Sequence, residues 1–268
     1  MSSLAWTVNS GGEVWTLQPE GGGSLYSPIG FAQDIGVNAA GIVYVVKNTP
    51  QPGQKGYIVA RLVSPADGKD GSGWKELASP AAAVRIAVDP DGTAWTVNSA
   101  GQVRTLMPPG NGLVYSPEDF AQDIGVGADN TVWVVTTKPL HGQKGDTAAW
   151  LAARSGSNSS WEKVAWVRRA VRIAVDPDGI AWTVNSCGEV WTLKPESGGS
   201  LGSRYSPEGF AQDIGVGADG TVWVVTTKPQ FGQKGNIVAW LADPAKGADG
   251  SGWQELASPA AAVAIAVQ

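Results

Sequence analysis

One cysteine and one histidine occur in 268 residues. The single thiol, Cys187, excludes an intrachain disulfide, so stability has to come from packing and closure, and a reducing compartment suits the chain. The single imidazole, His141, argues against a histidine-based triad. Charge is also scarce: only 16% of residues are charged and the net formal charge is -5. Without clustered Lys and Arg to neutralise phosphates, nucleic acid is excluded as an expected partner. No stretch approaches the roughly 18 apolar residues of a membrane span, so no membrane insertion is expected. The start, Met1-Ser-Ser-Leu-Ala-Trp6, has neither a basic n-region nor an apolar h-region. The expectation is a soluble cytoplasmic protein, or one exported without a classical signal peptide.

What the chain has in abundance is glycine, 36 residues, and tryptophan, 13. It also repeats itself. Phe31-Ala-Gln-Asp-Ile-Gly36 returns as Phe120 to Gly125 and again as Phe210 to Gly215, at spacings of 89 and 90 residues. Within each module a looser period emerges when Val84 to Trp95 is laid on Ala121 to Trp133, giving a unit of about 40 to 50 residues, the size of a propeller blade. Three modules of two units make six. Each unit breaks into four short β-type runs, in the third unit Val84 to Val88, Thr93 to Asn98, Gln102 to Leu106 and Leu113 to Ser116. Asp91-Gly92, Asp178-Gly179 and Asp219-Gly220 suit tight hairpin turns, and Asn98 to Gly101 and Asn185 to Gly188 mark the next reversal. Helix signals are absent.

The chain ends on Val263-Ala-Ile-Ala-Val-Gln268, which matches the first run of a unit, and begins with Leu4 to Ser10, which matches the second. Pairing these segments would close a ring and remove its exposed strand edges. The expected architecture is therefore all-β: a six-bladed β-propeller, 1–268 as a single domain, built of three two-blade modules, with one blade closed by pairing of the N- and C-terminal strands.

Trp74-Lys-Glu-Leu, then Ala83-Val-Arg-Ile-Ala-Val, then Asp91-Gly-Thr-Ala-Trp-Thr-Val-Asn-Ser99 resembles the repeat of tectonin-type β-propeller lectins, and Trp161 to Ser186 and Trp253 to Val267 continue it. The resemblance covers most of the chain and implies a six-bladed propeller that binds glycans. Tectonin repeats are usually near 35 residues and alike, whereas alternate units here carry an extra loop, so the family's binding positions are not transferred.

That loop supplies the first candidate site. Thr49 to Gly56, Lys138 to Gly145 and Lys228 to Gly235 each carry Gly-Gln-Lys-Gly, placed between the second and third strands of blades two, four and six. On a propeller they should rise beside Ser27-Pro28, Ser116-Pro117 and Ser206-Pro207, forming three clefts. Gln54, Gln143 and Gln233 offer amide donors and acceptors, and Lys55, Lys144 and Lys234 offer donors, an inventory suited to sugar hydroxyls. The alternative is that the motif is an idle soluble turn copied by duplication.

Trp6, Trp95, Trp182, Trp133 and Trp223 fall in second strands, and Trp74, Trp161 and Trp253 begin fourth strands, positions expected to be packing. The third-strand aromatics differ between copies: Trp150 and Trp240 correspond to Arg61, and Trp15 and Trp191 to Arg104. A buried slot would not accept both, so these four tryptophans are expected to be partly exposed and available to a ligand.

Asp34, Asp123 and Asp213 recur on the inner strands, but Arg85 and Arg172 hold the same position in intervening blades, broken only by Ala264. Alternating acid and base reads as inter-strand pairing rather than a metal or catalytic site. Asp89-Pro-Asp91 and Asp67 to Asp70 lack the dense oxygen ligands of a calcium loop, so no metal and no cofactor is expected. Cys187 sits where other copies have Gly11 and Ala100. Taken together, the residues point to a non-enzymatic, multivalent carbohydrate-binding lectin with glycans as partners. A protein-interaction scaffold and a lyase or hydrolase built in the channel are the competing readings.

Overall fold

The computed structural model describes residues 4–77, 82–106, 112–138, 147–153, 160–163, 169–193, 201–256 and 261–268. Six antiparallel sheets form a β-propeller. Blade 1 takes its strands from both ends of the chain: Ala264–Val267 on the inside, then Ala5–Val8, Val14–Leu17 and Gly23–Leu25. Its closing ladder pairs Ala5 with Val267 and Val8 with Ala264, as the sequence expectation required. Blade 2 runs Ala32–Val37, Val43–Pro50, Tyr57–Leu62 and Trp74–Glu76. Blade 4 runs Ala121–Val126, Val132–Thr136, Thr147–Ala153 and Ser160–Lys163. Blade 5 is Ala170–Val175, Ala181–Asn185, Val190–Leu193 and Leu201–Arg204, and blade 6 is Ala211–Val216, Val222–Pro229, Asn236–Leu241 and Trp253–Glu255.

Blade 3 departs from expectation. It has three strands, Arg85–Val88, Ala94–Val97 and Val103–Leu106, and in place of a fourth over Leu113 to Ser116 only the isolated bridge between Arg104 and Val114. Ser116 Oγ accepts the Val103 amide at 2.8 Å and Pro117 follows at once, the same junction that Ser27-Pro28 and Ser206-Pro207 form in blades 1 and 5. Two 3₁₀ turns, Pro65–Asp67 and Pro244–Asp249, are the helical segments among the described residues, each opened by its proline.

The turns are explained by their residues. Asn9, Asn98 and Asn185 each use the side-chain oxygen to accept two amides across the hairpin, from residues two and four positions on. Gly92 and Gly179 sit at φ 84° and 77°, a region that favours glycine.

Each inner strand packs against the next, and Ala264–Val267 packs on both Ala32–Val37 and Ala211–Val216, which closes the ring. Close approach is secured by alternating glycine and alanine: Gly36, Gly125 and Gly215 stand between Ala87, Ala174 and Ala266. A Cβ at Gly125 would lie 3.1 Å from the Ala174 Cα and from the Ile173 carbonyl oxygen, tighter than side chains normally pack. The core is divided accordingly into six apolar clusters among the described residues, one at each blade boundary.

Candidate functional site

Three blade boundaries, 1/2, 3/4 and 5/6, carry the same aromatic relay. At boundary 5/6, Trp182 packs on Tyr205 with ring centroids 4.6 Å apart, Tyr205 O accepts the Trp253 indole N–H at 2.6 Å, and Trp253 packs on Phe210 at 5.2 Å. Trp6, Tyr26, Trp74 and Phe31 repeat this at boundary 1/2, and Trp95, Tyr115, Trp161 and Phe120 at boundary 3/4. Trp74 and Trp253 are buried, and Trp161 and the three phenylalanines are half-buried.

At boundary 5/6 Phe210 floors a cleft of about 320 Å³, lined by Pro207, Glu208, Phe210, Thr227, Lys228 and Asp249 together with Gly209 and Gly250. Its parts are held in place. Thr227 Oγ1 donates to the Gly209 carbonyl, and Ser206 Oγ accepts the Val190 amide at 2.8 Å, so the linker from blade 5 is pinned before it turns. Lys228 Nζ lies 2.7 Å from Glu255. Blade 2 reaches the same ion pair by another route: Lys47, from a different strand position, lies 2.5 Å from Glu76 and 5.0 Å over the Phe31 ring. With Lys228 neutralised by Glu255, the cleft keeps two carboxylates, Glu208 and Asp249, and the Ser251 amide and hydroxyl bonded to Asp249 hold its carboxyl below the ordinary carboxylate range.

The expected loop residues lie outside this cleft. Gln54, Lys55, Gln233 and Lys234 are exposed, but none of them lines the cleft at Pro207, because the loops lean over the next blade. Ser99 donates to the Lys55 carbonyl and Ser10 to the Lys234 carbonyl, both at 3.0 Å. Lys55 reaches beside Ser116-Pro117 and pairs with Glu118 at 2.8 Å. The counterpart of Glu118 next to Lys234 is Ile29, so the pairing is not repeated there. Gln143, Lys144 and His141 lie outside the described residues. The cleft residues were missed in sequence because Phe31, Phe120 and Phe210 look like ordinary members of an invariant motif; the varied residue beside them, Ile29, Glu118 or Glu208, was the available signal.

The four third-strand tryptophans are half-buried, as their exchange with arginine required. Trp15 and Trp240 come together on the cluster at boundary 6/1, and Trp150 packs on that at boundary 4/5. The Trp15 and Trp240 indole nitrogens are buried and have no hydrogen-bond partner.

On the inner strands, Asp34, Asp123 and Asp213 accept the amides of Ile86, Ile173 and Ile265 of the next blade at 2.9, 2.8 and 2.9 Å. Arg85 reaches Asp123 at 3.5 Å and Arg172 reaches Asp213 at 3.4 Å. The third arginine position is Ala264, so Asp34 has no such ion pair. Burial pushes all three carboxyls up, with the arginines acting against it, to about 6 for Asp34 and about 7 for Asp213. Asp34 and Asp213 can therefore hold protons near neutrality. They are turned into the seams between strands, while the axial space is narrow: its two sections hold about 80 Å³ each, lined by backbone, small residues and a ring of valines and isoleucines. Small-molecule sites usually offer roughly 300–1,000 Å³, which favours the cleft over the axis as a place for an organic ligand. Among the described residues no group of three His, Cys, Asp or Glu is placed to hold a metal.

No protein-family model matches the chain, and no curated protein matches its sequence. Solved structures do match in shape. A gluconolactonase from Xanthomonas campestris superposes with TM-score 0.62 at 18% identity, over 84% of this chain and 79% of that one. The WD40 β-propeller domain of Doa1 gives 0.59 at 10% identity, over 91% and 77%. Virginiamycin B lyase from Staphylococcus aureus gives 0.55 at 15% identity, over 95% and 84%. At these identities the likeness shows a β-propeller fold shared by enzymes and by WD40 domains, and the site has to be argued from its own residues.

Proposed function

We propose that this chain is a multivalent carbohydrate-binding protein that catalyses no reaction, with one site at the cleft floored by Phe210 and further sites at the equivalent positions of Phe31 and Phe120. The observation that carries the reading is the aromatic relay repeated at three boundaries, with a hydroxyl- and carboxylate-bearing rim around Phe210 at boundary 5/6. A sugar presents an apolar face that packs on an aromatic ring, and hydroxyls that donate to groups such as Glu208 and Asp249. The resemblance to tectonin-type lectins supports the same class. Shallow single sites would bind weakly, and engagement of several on one glycan-coated surface can raise strength by about two to four orders of magnitude without new contacts.

A second reading, a protein-interaction scaffold, is supported by the fold shared with a WD40 domain and by the Phe231 side chain, 100% exposed at a loop tip. A glycan array separates the two. Wild type should bind a defined saccharide set, and Glu208→Ala combined with Asp249→Ala should lower the signal while leaving thermal unfolding in place. Absence of any glycan signal, with a stable protein partner recovered instead, would favour the scaffold.

A further inference from the structure

The boundaries 2/3, 4/5 and 6/1 are sister surfaces, yet one of them is chemically inverted. At boundary 6/1 the rim is built from Trp240 and Gln254 of blade 6 with Trp15 and Glu13 of blade 1; at boundary 4/5 it is Trp150 and Glu162 with Trp191 and Glu189. At boundary 2/3 the same positions hold Arg61, Lys75, Arg104 and Gln102.

Register and packing put the three cations on one blade boundary. Arg61 is the direct cross-strand partner of both Tyr44 and Lys75, so all three share a face of blade 2. That face turns toward blade 3, because Tyr44 and Val59, two residues before Arg61, belong to the boundary 2/3 cluster. Arg104 of blade 3 faces back, since Leu106, two residues on, lies in the same cluster. Arg61 lies 5.9 Å over the Tyr44 ring, and its Nε is buried without a hydrogen-bond acceptor. Arg104 Nε donates to the neutral amide of Gln102 at 2.7 Å, where the sister blades would offer Glu13 or Glu189. None of the three makes an ion pair with a described carboxylate. The connecting segment 107–111 contains no acidic residue, whereas its counterparts contain Glu20 and Glu196.

Cations directly opposite one another destabilise a sheet, and an unpaired guanidinium nitrogen costs free energy to bury. Arg61 rests on Tyr44 and Arg104 on Gln102, neither of which carries a negative charge, so three bases gained and the local acids lost together, in a chain of net charge -5, describe a surface suited to an anion. From this juxtaposition we infer that the groove between blades 2 and 3 binds an oxoanion, a phosphate or sulfate group, free or carried on a saccharide. Guanidinium groups match the tetrahedral oxygens of both ions through paired N–H donors, and Lys75 adds a charge at the mouth. This site is separate from the Phe-floored clefts and stands whether or not they bind sugar.

The test is calorimetric titration of the full chain with inorganic phosphate, inorganic sulfate, glucose 6-phosphate and a heparin tetrasaccharide. The comparison protein is Lys75→Gln combined with Arg104→Trp, which installs the side chains of the sister boundaries; Lys75→Gln with Arg104→Gln is a second version that keeps polarity. At least one anion should saturate a single site on wild type, weaken on adding NaCl, and lose tenfold or more in affinity in both variants. The arm that binds tightest separates phosphate from sulfate and free ion from saccharide. No saturable binding by any of the four, or equal affinity in wild type and either folded variant, overturns the inference.

Discussion

The six blade boundaries fall into two kinds, and they teach different lessons. Boundaries 1/2, 3/4 and 5/6 keep one construction in every copy: an indole tilted on a phenol and a second indole tilted on a phenyl ring, the second indole N–H bonded to the tyrosine backbone carbonyl, with the linker serine bonded to the third strand. Boundaries 2/3, 4/5 and 6/1 share their buried part but exchange their rim, two tryptophans at two of them and two arginines at the third. The first kind is constrained by volume, because a ring removed from a packed relay leaves a void. The second is constrained only where side chains are buried, so its half-exposed positions are free to acquire a ligand.

The sharpest way to break this contrast is truncation in the relay. Trp253→Ala should cost about 3–5 kcal/mol of folding stability by denaturant unfolding, since a buried indole is replaced by a cavity and the floor under Phe210 is lost. Trp240→Arg, on the variable rim, should cost about 1 kcal/mol or less, because Arg61 already occupies that slot in blade 2. Similar losses for the two would erase the distinction. Next in size is the inner ring, where Gly125→Val should cost about 1–3 kcal/mol from overpacking against Ala174 and Ile173.

A smaller effect tests the polar links between inner strands. The Asp34 and Asp213 carboxyls are raised in the folded state above the 3.8 of an ordinary Asp. The folded protein therefore binds protons that the unfolded chain has released, and stability should fall as pH rises from about 4 through 6 to 7. Ala264→Arg supplies the partner that Asp123 and Asp213 already have, so it should raise the melting temperature at pH 7.5 and flatten the dependence between pH 5 and 7. An unchanged pH profile in that variant would mean that Asp34 is not the titrating group. Smallest of all, Lys55→Ala removes an exposed pair with Glu118, and its effect on melting should be barely measurable.

The ring was legible in the sequence because its determinants are local and repeated: the period, the Asp-Gly and Asn turns, and a terminal run that completes the first. The alternation of Asp34, Arg85, Asp123, Arg172 and Asp213 was legible for the same reason, since register alone placed acid beside base. The clefts were less so. Their depth depends on how the linker through Pro207 passes the connection at Asp249, which are about 40 residues apart in the chain. The lean of the Gly-Gln-Lys-Gly loops toward the following blade was equally hidden, because it rests on amide bonds from Ser10 and Ser99 in another repeat. The basic groove could be glimpsed as Arg61 and Arg104, but its meaning depended on seeing Lys75 opposite Arg61 and Gln102 in place of a glutamate.

In the proposed function, ligand binding belongs to the outer surface at the Phe-floored boundaries, and the inner carboxylates serve the scaffold. The most direct test is saccharide binding by one array-selected glycan, compared across wild type, Asp34→Asn and the Glu208→Ala, Asp249→Ala variant. Binding kept by Asp34→Asn and weakened in the cleft variant is the predicted result. Binding lost in Asp34→Asn and unchanged in the cleft variant would contradict it.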